Sequence, residues 1–332
     1  MKERSTVSIL IPIYKVERWI EKSARSAFEQ TFENIDFIFV DDCSPDNSIE
    51  ILKQVINDYP HRTPKVRIIH HERNRGIAVV RNALVEACNT EFLFFLDSDD
   101  WMEPNAIELL VNKQLETGAD IVTGRIIEHT SQGEVPYKTL GYDKDRESTL
   151  LGLLTDQAVS PVLHCRLIKT ALFKNNHITF EESVNLSEDF CVTPRLFYFS
   201  KIAAGIPNFI VHYNRQNTNS YTYNYETDWN LQSQVLKSYE ITKAFFADKD
   251  MKYKEAIEMS IFDKYRYMLF LSTQNSNKEG FNYCKRYLKD NKHCYKKLRG
   301  GKMVRFFESS YFLMRATYRL RLIRAHLLSK FK

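Results

Sequence analysis

The sequence predicts an α/β fold, with a mostly parallel β-sheet in the first part of the chain and a helical module at its C-terminal end. In residues 1–125, short apolar runs alternate with segments that have the periodicity of amphipathic helices. The short runs are apolar almost throughout, which is the pattern of parallel strands covered by helices on both faces. From Trp229 onward the pattern is helical, with abundant Tyr, Phe and Lys.

Each predicted strand is followed by a predicted helix, as right-handed crossovers between parallel strands require. Residues 131–147 are polar and aperiodic, which indicates a loop or a pair of short strands, and residues 148–222 mix both patterns. In chain order, the predicted strands are VSILIPI, FIFVD, VRIIH, FLFFLD and DIVTG, and the predicted helices are WIEKSARSAFEQ, SIEILKQVIND, GIAVVRNALVEAC and NAIELLVNKQLE.

The length of 332 residues exceeds one average domain, so two parts are expected. We predict a larger domain at residues 1–225, with halves at 1–125 and 126–225, and a helical, basic module at residues 226–332.

The composition is that of an ordinary soluble globular protein, with 43% hydrophobic and 27% charged residues. No apolar run approaches the roughly 18 residues that a spanning helix needs. The short N-terminal apolar stretch contains Pro12 and argues against a secretory signal. The six cysteines form no CxxC pair and no metal-ligand spacing, so reduced thiols are expected. Together these features predict a cytoplasmic protein.

Positive charge is concentrated near the C-terminal end of the chain. Residues 281–332 hold 15 Lys and Arg against Asp290 and Glu308, which is +13, and the remainder therefore carries −8 of the total of +5. Two interpretations stay open for this segment: a basic amphipathic helix at a lipid interface, or a helix packed on its own domain with a solvated basic face. Nucleic-acid binding is not expected, because no recognised binding module accompanies the charge. The apolar stripe of the predicted helix consists of Leu313, Leu320, Ile323, Leu327 and Phe331.

Polar and aromatic side chains follow the ends of the predicted strands. In an open parallel sheet, ligands bind beyond the carboxyl ends of the strands, where loops and helix N-termini converge. The sequence therefore predicts one pocket there. Its residues are Pro12 and Tyr14 after the first strand, Asp41 and Asp42 after the second, His70 to Asn74 after the third, and Asp97 to Asp100 after the fourth.

The stretch DSDD places three carboxylates, Asp97, Asp99 and Asp100, within four positions after a buried strand. Two ionised carboxylates about 5 Å apart repel by roughly 3 kcal/mol at an effective dielectric constant near 20. One carboxylate could cap the helix that follows Pro104, but a cap needs only one. A divalent cation bound by oxygen ligands would remove the repulsion.

In their order and spacing, these segments resemble the family 2 glycosyltransferases, which have the Rossmann-like, mostly parallel sheet of the type A glycosyltransferase fold. The resemblance covers roughly residues 5–222 and implies a nucleotide-binding half at 1–125 and an acceptor-side half at 126–225. Each motif is weak alone, and the set is specific. The motifs are VSILIPIYK at 7–15, FIFVDDCSPDNS at 37–48, NRGIAVVRNAL at 74–84, DSDD at 97–100, SEDF at 187–190 and HYNRQNTNS at 212–220.

The resemblance implies a nucleotide-sugar donor, with a UDP-sugar expected. It implies that Pro12, Tyr14 and Asp41 hold the nucleoside base, with Asp42 close by. The ring of Tyr14 can stack on a base and a carboxylate can accept from a pyrimidine N–H. Taken alone, Tyr14 would equally suit a strand-edge aromatic.

On the diphosphate side, the resemblance implies that Asn74 and Arg81 meet the ribose and the phosphates. It also implies that Asp99 binds a divalent cation bridged to the diphosphate, while Asp97 contacts the nucleotide. Hard oxygen ligands favour Mg²⁺ or Mn²⁺ over Zn²⁺.

The SEDF segment supplies the predicted base. Ser187 is predicted as a helix N-cap, which places Glu188 and Asp189 in the first turn. In the family, an Asp here takes the proton from the acceptor hydroxyl, which makes Asp189 the predicted general base. The alternative is that both acids only complement the helix dipole.

The HYNRQNTNS segment supplies His212 and Arg215 as candidate contacts to the diphosphate or to an acceptor phosphate, together with Glu188. The alternative is a plain surface loop. His164 is interpreted as a core histidine. Lys15, Val80 and Leu84 depart from the family pattern, which affects loop shape and donor preference.

The expected activity is metal-dependent, inverting transfer of a single sugar to a hydroxyl of a glycan or lipid-linked glycan, in surface polysaccharide assembly. The sequence lacks a Q-x-x-R-W stretch and transmembrane helices, which argues against a processive synthase. The expected location is the cytoplasm, with peripheral contact at the membrane face as one alternative. The alternative functions are a sugar-nucleotide pyrophosphorylase, which would need a Gly-rich loop that is missing after the first strand, and a catalytically inactive nucleotide-sugar binding module.

Overall fold

The computed structural model describes residues 6–137, 140–155, 159–218, 220, 222–223 and 225–291. The chain divides into two compact units, Met1–Ser220 and Tyr221–Lys332. The basic amphipathic helix predicted within residues 301–332 lies outside the described residues.

The first unit alternates strands and helices as predicted. Its elements are β1 (Val7–Ile13), α1 (Ile20–Phe28), β2 (Ile35–Asp41), α2 (Ser48–Asp58), β3 (Val66–His70), α3 (Ile77–Ala87), β4 (Phe92–Phe95), β5 (Trp101–Met102), α4 (Ala106–Thr117), β6 (Ile121–Thr130), β7 (Gly133–Pro136), α5 (Arg146–Leu154), β8 (Arg166–Lys169), α6 (Thr170–Asn175), α7 (Glu188–Phe199) and β9 (Ala203–Asn214).

Nine strands of the described residues form one sheet in the order β3-β2-β1-β4-β8-β6-β9-β5, with β7 paired to β6. The strands β3, β2, β1 and β4 are mutually parallel, as predicted. The fifth predicted strand, β6, does not join this block directly, because β8 lies between β4 and β6 and is antiparallel to both. Instead, β6 is parallel to β9. The α/β fold class is therefore confirmed, and the antiparallel insertion is the main departure.

Both faces of the central strands are covered, which explains why their sequences are apolar throughout. Successive residues of a strand point to opposite faces. Ile9 of β1 belongs to a buried cluster that includes Leu52 of α2. On β4, Phe95 packs edge-on against Phe173 and Phe180, with ring centroids 6.3 and 6.0 Å apart.

A glycine fixes the turn that precedes α3. Gly76 has a φ of +88°, and a Cβ atom built there would lie 2.4 Å from Asn185 Oδ1. The same Asn185 oxygen accepts a hydrogen bond from the Ala78 N–H at 3.3 Å. Only glycine combines this dihedral with this approach. The turn therefore joins the start of α3 to the segment that leads into α7.

The second unit is helical where it is described, as predicted. Its helices are α8 (Trp229–Phe246), α9 (Met251–Gln274) and α10 (Lys278–Asp290). Asp228 caps α8 by accepting from the Asn230 N–H at 2.8 Å. The rings of Tyr265 and Tyr287 stack with their centroids 3.7 Å apart, which joins α9 to α10. No helix in the described part of the chain has both the length and the hydropathy that a bilayer span requires.

Candidate active site

The candidate site lies where four parallel strands end at one edge of the sheet. Since β1, β2, β3 and β4 run in the same direction, the residues that follow them gather beyond that edge. The sheet thus brings the predicted donor residues to one side of the first unit. Residues of β8, β9 and α7 complete the site from the other half of the chain.

At the end of β1, Pro12 is buried inside the strand and Tyr14 follows it with its side chain partly exposed. Asp41 closes β2 and is held by its neighbours: Oδ1 accepts from the Ser44 N–H at 2.9 Å, and Oδ2 lies 3.0 Å from His70 Nδ1. An exposed aromatic ring thus lies next to a fixed carboxylate, since β1 and β2 are adjacent strands.

Asp42 is committed to the turn that leads into α3. Its carboxylate accepts from the backbone N–H groups of Arg75 and Gly76, at 2.9 and 2.8 Å, and lies 2.7 Å from His71 Nδ1. The side chain is 2% exposed. Asn74, in the same turn, is exposed. The structure therefore gives Asp42 a positioning role in the turn and leaves Asn74 open to a ligand.

The DSDD segment forms a tight turn after β4 and is tied to the end of β9. The Asp100 N–H donates to the Asp97 carbonyl at 2.9 Å. Asp100 Oδ1 accepts from the Asn214 N–H at 2.8 Å, and Asp99 Oδ2 accepts from Asn217 Nδ2 at 2.8 Å. The end of β9 thus holds the Asp100 carboxylate, and the loop that follows it holds the Asp99 carboxylate.

Arg81 connects this turn to the start of α7. Its guanidinium is buried, and it lies 3.1 Å from Asp97 Oδ1, 3.2 Å from Glu188 Oε1 and 4.0 Å from Asp189 Oδ1. The ring of Phe95 lies beneath it, with its centroid 5.2 Å from the guanidinium carbon. A buried cation needs acidic partners, and three carboxyl groups lie within 4.0 Å of Arg81. The predicted diphosphate contact and the predicted base are therefore parts of one charged group.

The carboxylates of the DSDD turn differ in their proton affinity. Burial opposes charge on Asp97, but Arg81 and a hydrogen bond with His164 hold its pKa below the usual range. Burial and the neighbouring Asp97 raise the pKa of Asp99 to about 6. Burial, Asp99 and Asp97 raise the pKa of Asp100 well above its usual value. One positive side chain thus compensates one carboxylate and leaves the other two in need of a cation or a proton.

The ligand atoms of Asp97, Asp100 and His164 all lie within 4.8 Å of one another. Two buried atoms of this group, Asp100 Oδ2 and His164 Nε2, have no hydrogen-bond partner. Unpaired buried polar atoms are rare in folded proteins, and several in one place indicate a ligand that completes them. Two carboxylates and one imidazole are a donor set that suits Mn²⁺. The residues therefore fit a divalent cation.

At the start of α7, Asp189 faces the same space. Its Oδ2 accepts from the Leu163 N–H at 3.3 Å, and its Oδ1 is buried without a hydrogen-bond partner. Burial raises the pKa of Asp189, Arg81 opposes that change, and Asp97 adds to it. Burial and Asp189 raise the pKa of Glu188 to about 8. A carboxylate with a raised pKa and a free lone pair is suited to accept a proton.

His212 and Arg215 contact residues outside this charged group. His212 Nδ1 is 2.8 Å from His129 Nε2, and its Nε2 is 2.7 Å from Glu103 Oε1. Arg215 is partly exposed and lies 3.6 Å from Glu128. None of these contacts is with a carboxylate of the acidic turn, although His212 pairs with Trp101 directly after that turn, and the predicted phosphate contacts of both residues remain predictions.

Two residues of the site were not found from the sequence. His164, interpreted as a core histidine, is buried but lies 3.6 Å from Asp97 through its Nδ1. It precedes β8, whose antiparallel pairing with β4 carries that end of β8 to the DSDD turn. Asn217 holds Asp99 from the loop after β9. No local pattern signals either contact, because both depend on strand pairing across the sheet.

The mostly parallel sheet, with an acidic turn at the carboxyl edge of its parallel strands, is that of the type A glycosyltransferase fold. The chain belongs to glycosyl transferase family 2, because the profile of that family matches residues 8–176. EpsH of Bacillus subtilis (strain 168), assigned as a glycosyltransferase, is 26% identical over 268 residues, which span 78% of this chain and 74% of EpsH. The poly(ribitol-phosphate) beta-glucosyltransferase of Bacillus spizizenii is 30% identical over 59% of this chain and 30% of its own length.

Solved structures share the fold at low sequence identity. Residues 1–349 of S. aureus TarS in complex with UDP match with a TM-score of 0.57 and 17% identity, covering 84% of this chain and 89% of that chain. The mannosyltransferase PcManGT of Pyrobaculum calidifontis, in complex with GDP-Man and Mn²⁺, matches with a TM-score of 0.59 and 13% identity, covering 96% of this chain and 88% of that chain.

Proposed function

We propose that this glycosyltransferase is metal-dependent and inverting, and moves one sugar from a nucleotide-diphospho-sugar to a hydroxyl of a glycan or lipid-linked glycan. The observation that carries the proposal is the buried group around Arg81, which joins Asp97 of the DSDD turn to Glu188 and Asp189. The site for the donor phosphates and the base for the acceptor are then linked through the side chain of Arg81.

For the donor, we propose a UDP-sugar held at the ends of β1 to β4. Tyr14 stacks on the base, and Pro12 and Asp41 complete the base site, since their strand ends are adjacent. Asn74 is exposed in the turn before α3 and is placed to meet the ribose. TarS, which shares the fold, was solved with UDP, and this supports the choice of nucleotide.

For the metal, we propose Mn²⁺ or Mg²⁺ at the carboxylates of the DSDD turn. Asp99 is the ligand predicted from the sequence, and Asp97, Asp100 and His164 are the residues whose ligand atoms already converge. A bound ion would neutralise the negative charge of the diphosphate leaving group. The raised pKa values of Asp99 and Asp100 support the proposal, because a cation there offsets the burial and the mutual repulsion that raise them.

For the transfer step, we propose that Asp189 accepts the proton of the acceptor hydroxyl, which then attacks the anomeric carbon from the face opposite the diphosphate. The bond from that carbon to the diphosphate oxygen breaks, and the configuration inverts. The Leu163 N–H orients the Asp189 carboxylate through Oδ2, which leaves Oδ1 available. Arg81 keeps Asp189 beside the donor site.

The acceptor is proposed from relatives alone. The poly(ribitol-phosphate) beta-glucosyltransferase among them is named for a polymeric acceptor, which favours a surface polysaccharide for this chain. Transfer of one sugar per encounter is proposed because the sequence lacks the Q-x-x-R-W stretch.

The alternative function is a binding module that holds a nucleotide-sugar without turnover. Release of nucleoside diphosphate from a panel of nucleotide-sugars with Mn²⁺ separates the two functions. We expect release by the wild type and its loss with a metal chelator. Suppose that a nucleotide-sugar binds but no nucleoside diphosphate is released, whether glycans or only water are offered as acceptors. That result would support the inactive module and contradict the enzyme.

A further inference from the structure

Four polar and aromatic side chains, all at least partly exposed, lie together at the ends of β6, β7 and β9. Glu128 of β6 pairs in register with Tyr213 of β9. Tyr137 directly follows β7. Arg215 directly follows β9, and its backbone N–H donates to the His129 carbonyl at 3.0 Å. We call Glu128, Tyr137, Tyr213 and Arg215 the Tyr213 cluster. The donor, metal and base sites proposed above use none of these side chains.

His164 links the Tyr213 cluster to the reaction centre. The ring centroids of Tyr213 and His164 lie 5.3 Å apart. His164 Nδ1 is in turn 3.6 Å from Asp97 Oδ2 in the acidic turn. The preceding residue, Leu163, orients the Asp189 carboxylate through its backbone N–H. An acceptor whose hydroxyl reaches Asp189 can therefore extend over the Tyr213 cluster.

Two tyrosine rings give the cluster its apolar surface. The ring centroids of Tyr137 and Tyr213 lie 6.3 Å apart, with the ring planes inclined by 55°. The Tyr137 hydroxyl is 3.0 Å from Ser160 Oγ, and this hydrogen bond fixes the Tyr137 ring. A sugar ring has apolar C–H faces and carries hydroxyl groups at its edge. Aromatic rings beside hydrogen-bonding side chains are therefore suited to bind it.

The two charges of the cluster compensate each other. Arg215 Nε lies 3.6 Å from Glu128 Oε1, and Arg215 Nη1 donates to the Tyr213 hydroxyl at 3.2 Å. The side chains of Arg215 and Glu128 remain 45% and 21% exposed, so both can also reach a ligand. A guanidinium only donates hydrogen bonds and a carboxylate only accepts them, whereas a sugar hydroxyl does both. The pair thus matches neighbouring hydroxyls of a sugar.

A phosphate fits this surface less well than a sugar does. Arginine binds a phosphate through charge that is available to the ligand. Arg215 already faces Glu128, and three carboxyl groups lie within 4.0 Å of Arg81. The N-terminus of α7 would favour an anion, but its first turn carries Glu188 and Asp189. A phosphate close to the reacting hydroxyl would therefore meet carboxyl groups.

We propose that the Tyr213 cluster is the acceptor subsite, and that the unit which receives the transferred sugar is itself a neutral sugar rather than a polyol phosphate. This inference rests on the proposed transferase function and narrows its acceptor. Tyr137 and Tyr213 pack against a C–H face of the acceptor ring, while Arg215 and Glu128 hydrogen-bond to its hydroxyls. Another hydroxyl of the same ring then lies at Asp189.

The test measures the release of nucleoside diphosphate by the full chain from a UDP-sugar with Mn²⁺. Release to water alone gives a baseline that needs no acceptor glycan. The probes are octyl glycosides of common neutral pyranoses, compared with ribitol phosphate and glycerol phosphate at the same concentration. We expect at least one neutral glycoside to change the baseline, either by accepting the sugar or by displacing water. Both polyol phosphates should leave the baseline unchanged.

Substitutions in the Tyr213 cluster distinguish binding of the acceptor from a structural role. In Tyr137→Ala, the concentration of neutral glycoside that gives half the effect should rise roughly tenfold, and Tyr137→Phe should keep the wild-type value. Glu128→Gln leaves Arg215 without its carboxylate, so ribitol phosphate should now change the baseline. Glu134→Gln removes a carboxylate that is 63% exposed on β7, and this matched control should change neither response. Binding of the UDP-sugar to each variant checks its folding.

Each of three results would overturn the proposal. The first is a wild-type baseline that responds to a polyol phosphate, and the second is one that responds to no neutral glycoside. The third is an unchanged response to the neutral glycoside in both Tyr137→Ala and Glu128→Gln. The first two need no substitution, so they decide the outcome even where a variant fails to fold. A wild type without any release, to water or to a glycan, would instead contradict the proposed transferase function.

Discussion

At the scale of single residues, Arg81 explains how five carboxylates share a small volume. It pairs with Asp97 and lies close to Glu188 and Asp189, so part of the negative charge is balanced within the chain. The remaining charge appears as raised pKa values at Asp99, Asp100, Glu188 and Asp189. Raised pKa values at a cluster of buried acids are typical of functional sites.

Substitution of the proposed base should separate binding from turnover. In Asp189→Asn, we expect the rate of sugar transfer to fall by about 10² to 10⁴, the usual contribution of a general base. The dissociation constant for the donor should change little, because Asp189 is not proposed to contact it. Asp143→Asn, at an exposed loop position, is the matched control and should keep full activity. Transfer at a near-normal rate in Asp189→Asn would remove Asp189 from the mechanism.

Metal affinity should depend on pH through Asp99, because a cation competes with a proton for the same carboxylate. With the pKa of Asp99 raised to about 6, Mn²⁺ should bind more tightly as pH rises through that value. We expect roughly tenfold weaker binding at pH 5 than at pH 7 in titration calorimetry. The Asp99→Asn variant should bind Mn²⁺ more weakly than the wild type at both pH values. A flat profile in the wild type would show that Asp99 is not a ligand.

Glu188 makes a separate prediction for stability without metal. Its pKa is raised from 4.5 to about 8, so the folded state holds a proton that the unfolded state loses. The stabilisation from that proton is complete below pH 4.5 and is lost as pH rises through about 8. In urea unfolding with a chelator, the wild type should therefore lose stability relative to Glu188→Gln over this range. A constant difference between the two would contradict the raised pKa.

At the scale of secondary-structure elements, local sequence pattern predicted the elements well and their pairing less well. β1, α2 and β3 have the predicted bounds, because their apolar periodicity and their ends are local properties. The antiparallel β8 was not assigned, since the choice of a partner strand depends on residues far apart in sequence. His164 is buried, as a core histidine would be, but its contact with Asp97 was not predicted, because only the β4–β8 pairing brings the two residues together.

The strand-end carboxylates show the reverse case. Asp41, Asp42 and Asp97 follow strands that were predicted correctly, and they lie at the predicted edge. Arg81 was predicted from the resemblance to face a diphosphate, and its three carboxylate partners could not be read from spacing along the chain. The sequence thus predicted where the candidate site lies, and the tertiary fold defines the contacts within it.

The turn before α3 gives a prediction at this scale. Gly76→Ala should destabilise the fold by more than the roughly 1 kcal/mol that a positive φ costs a non-glycine residue, because its Cβ would also meet Asn185. Gly118→Ala is the matched control, since Gly118 has a φ of +68° and open space around its Cβ position. The difference in unfolding free energy between the two variants measures the contact together with the costlier backbone conformation of Gly76, whose ψ is 160° against 20° at Gly118. Equal destabilisation would show that Asn185 does not restrict the turn.

At the scale of the whole molecule, the chain combines an acidic first part with a basic C-terminal segment. Residues 281–332 carry +13, and the remainder carries −8. We propose that the basic segment binds anionic lipid, which would keep the enzyme near a lipid-linked acceptor. If the segment is instead a helix packed on its own domain, no binding to lipid is expected.

Liposome flotation separates these alternatives. The full chain should float with vesicles that contain anionic lipid, and it should do so less at high salt, because the attraction is electrostatic. A variant without residues 301–332 should stay in the dense fraction, and its nucleotide-sugar binding should be unchanged as a control for folding. Equal flotation with and without the segment would exclude its role at membranes.

The most direct measurement is thermal unfolding with a panel of nucleotide-sugars, each with and without Mn²⁺. Binding at 100 times the dissociation constant stabilises a protein by about 2.7 kcal/mol. We predict that at least one UDP-sugar raises the unfolding temperature only when Mn²⁺ is present, and that Asp97→Asn and Asp99→Asn lose this response. Stabilisation of the wild type that is the same without Mn²⁺, or that survives both substitutions, would contradict a cation shared between the acidic turn and the donor phosphates.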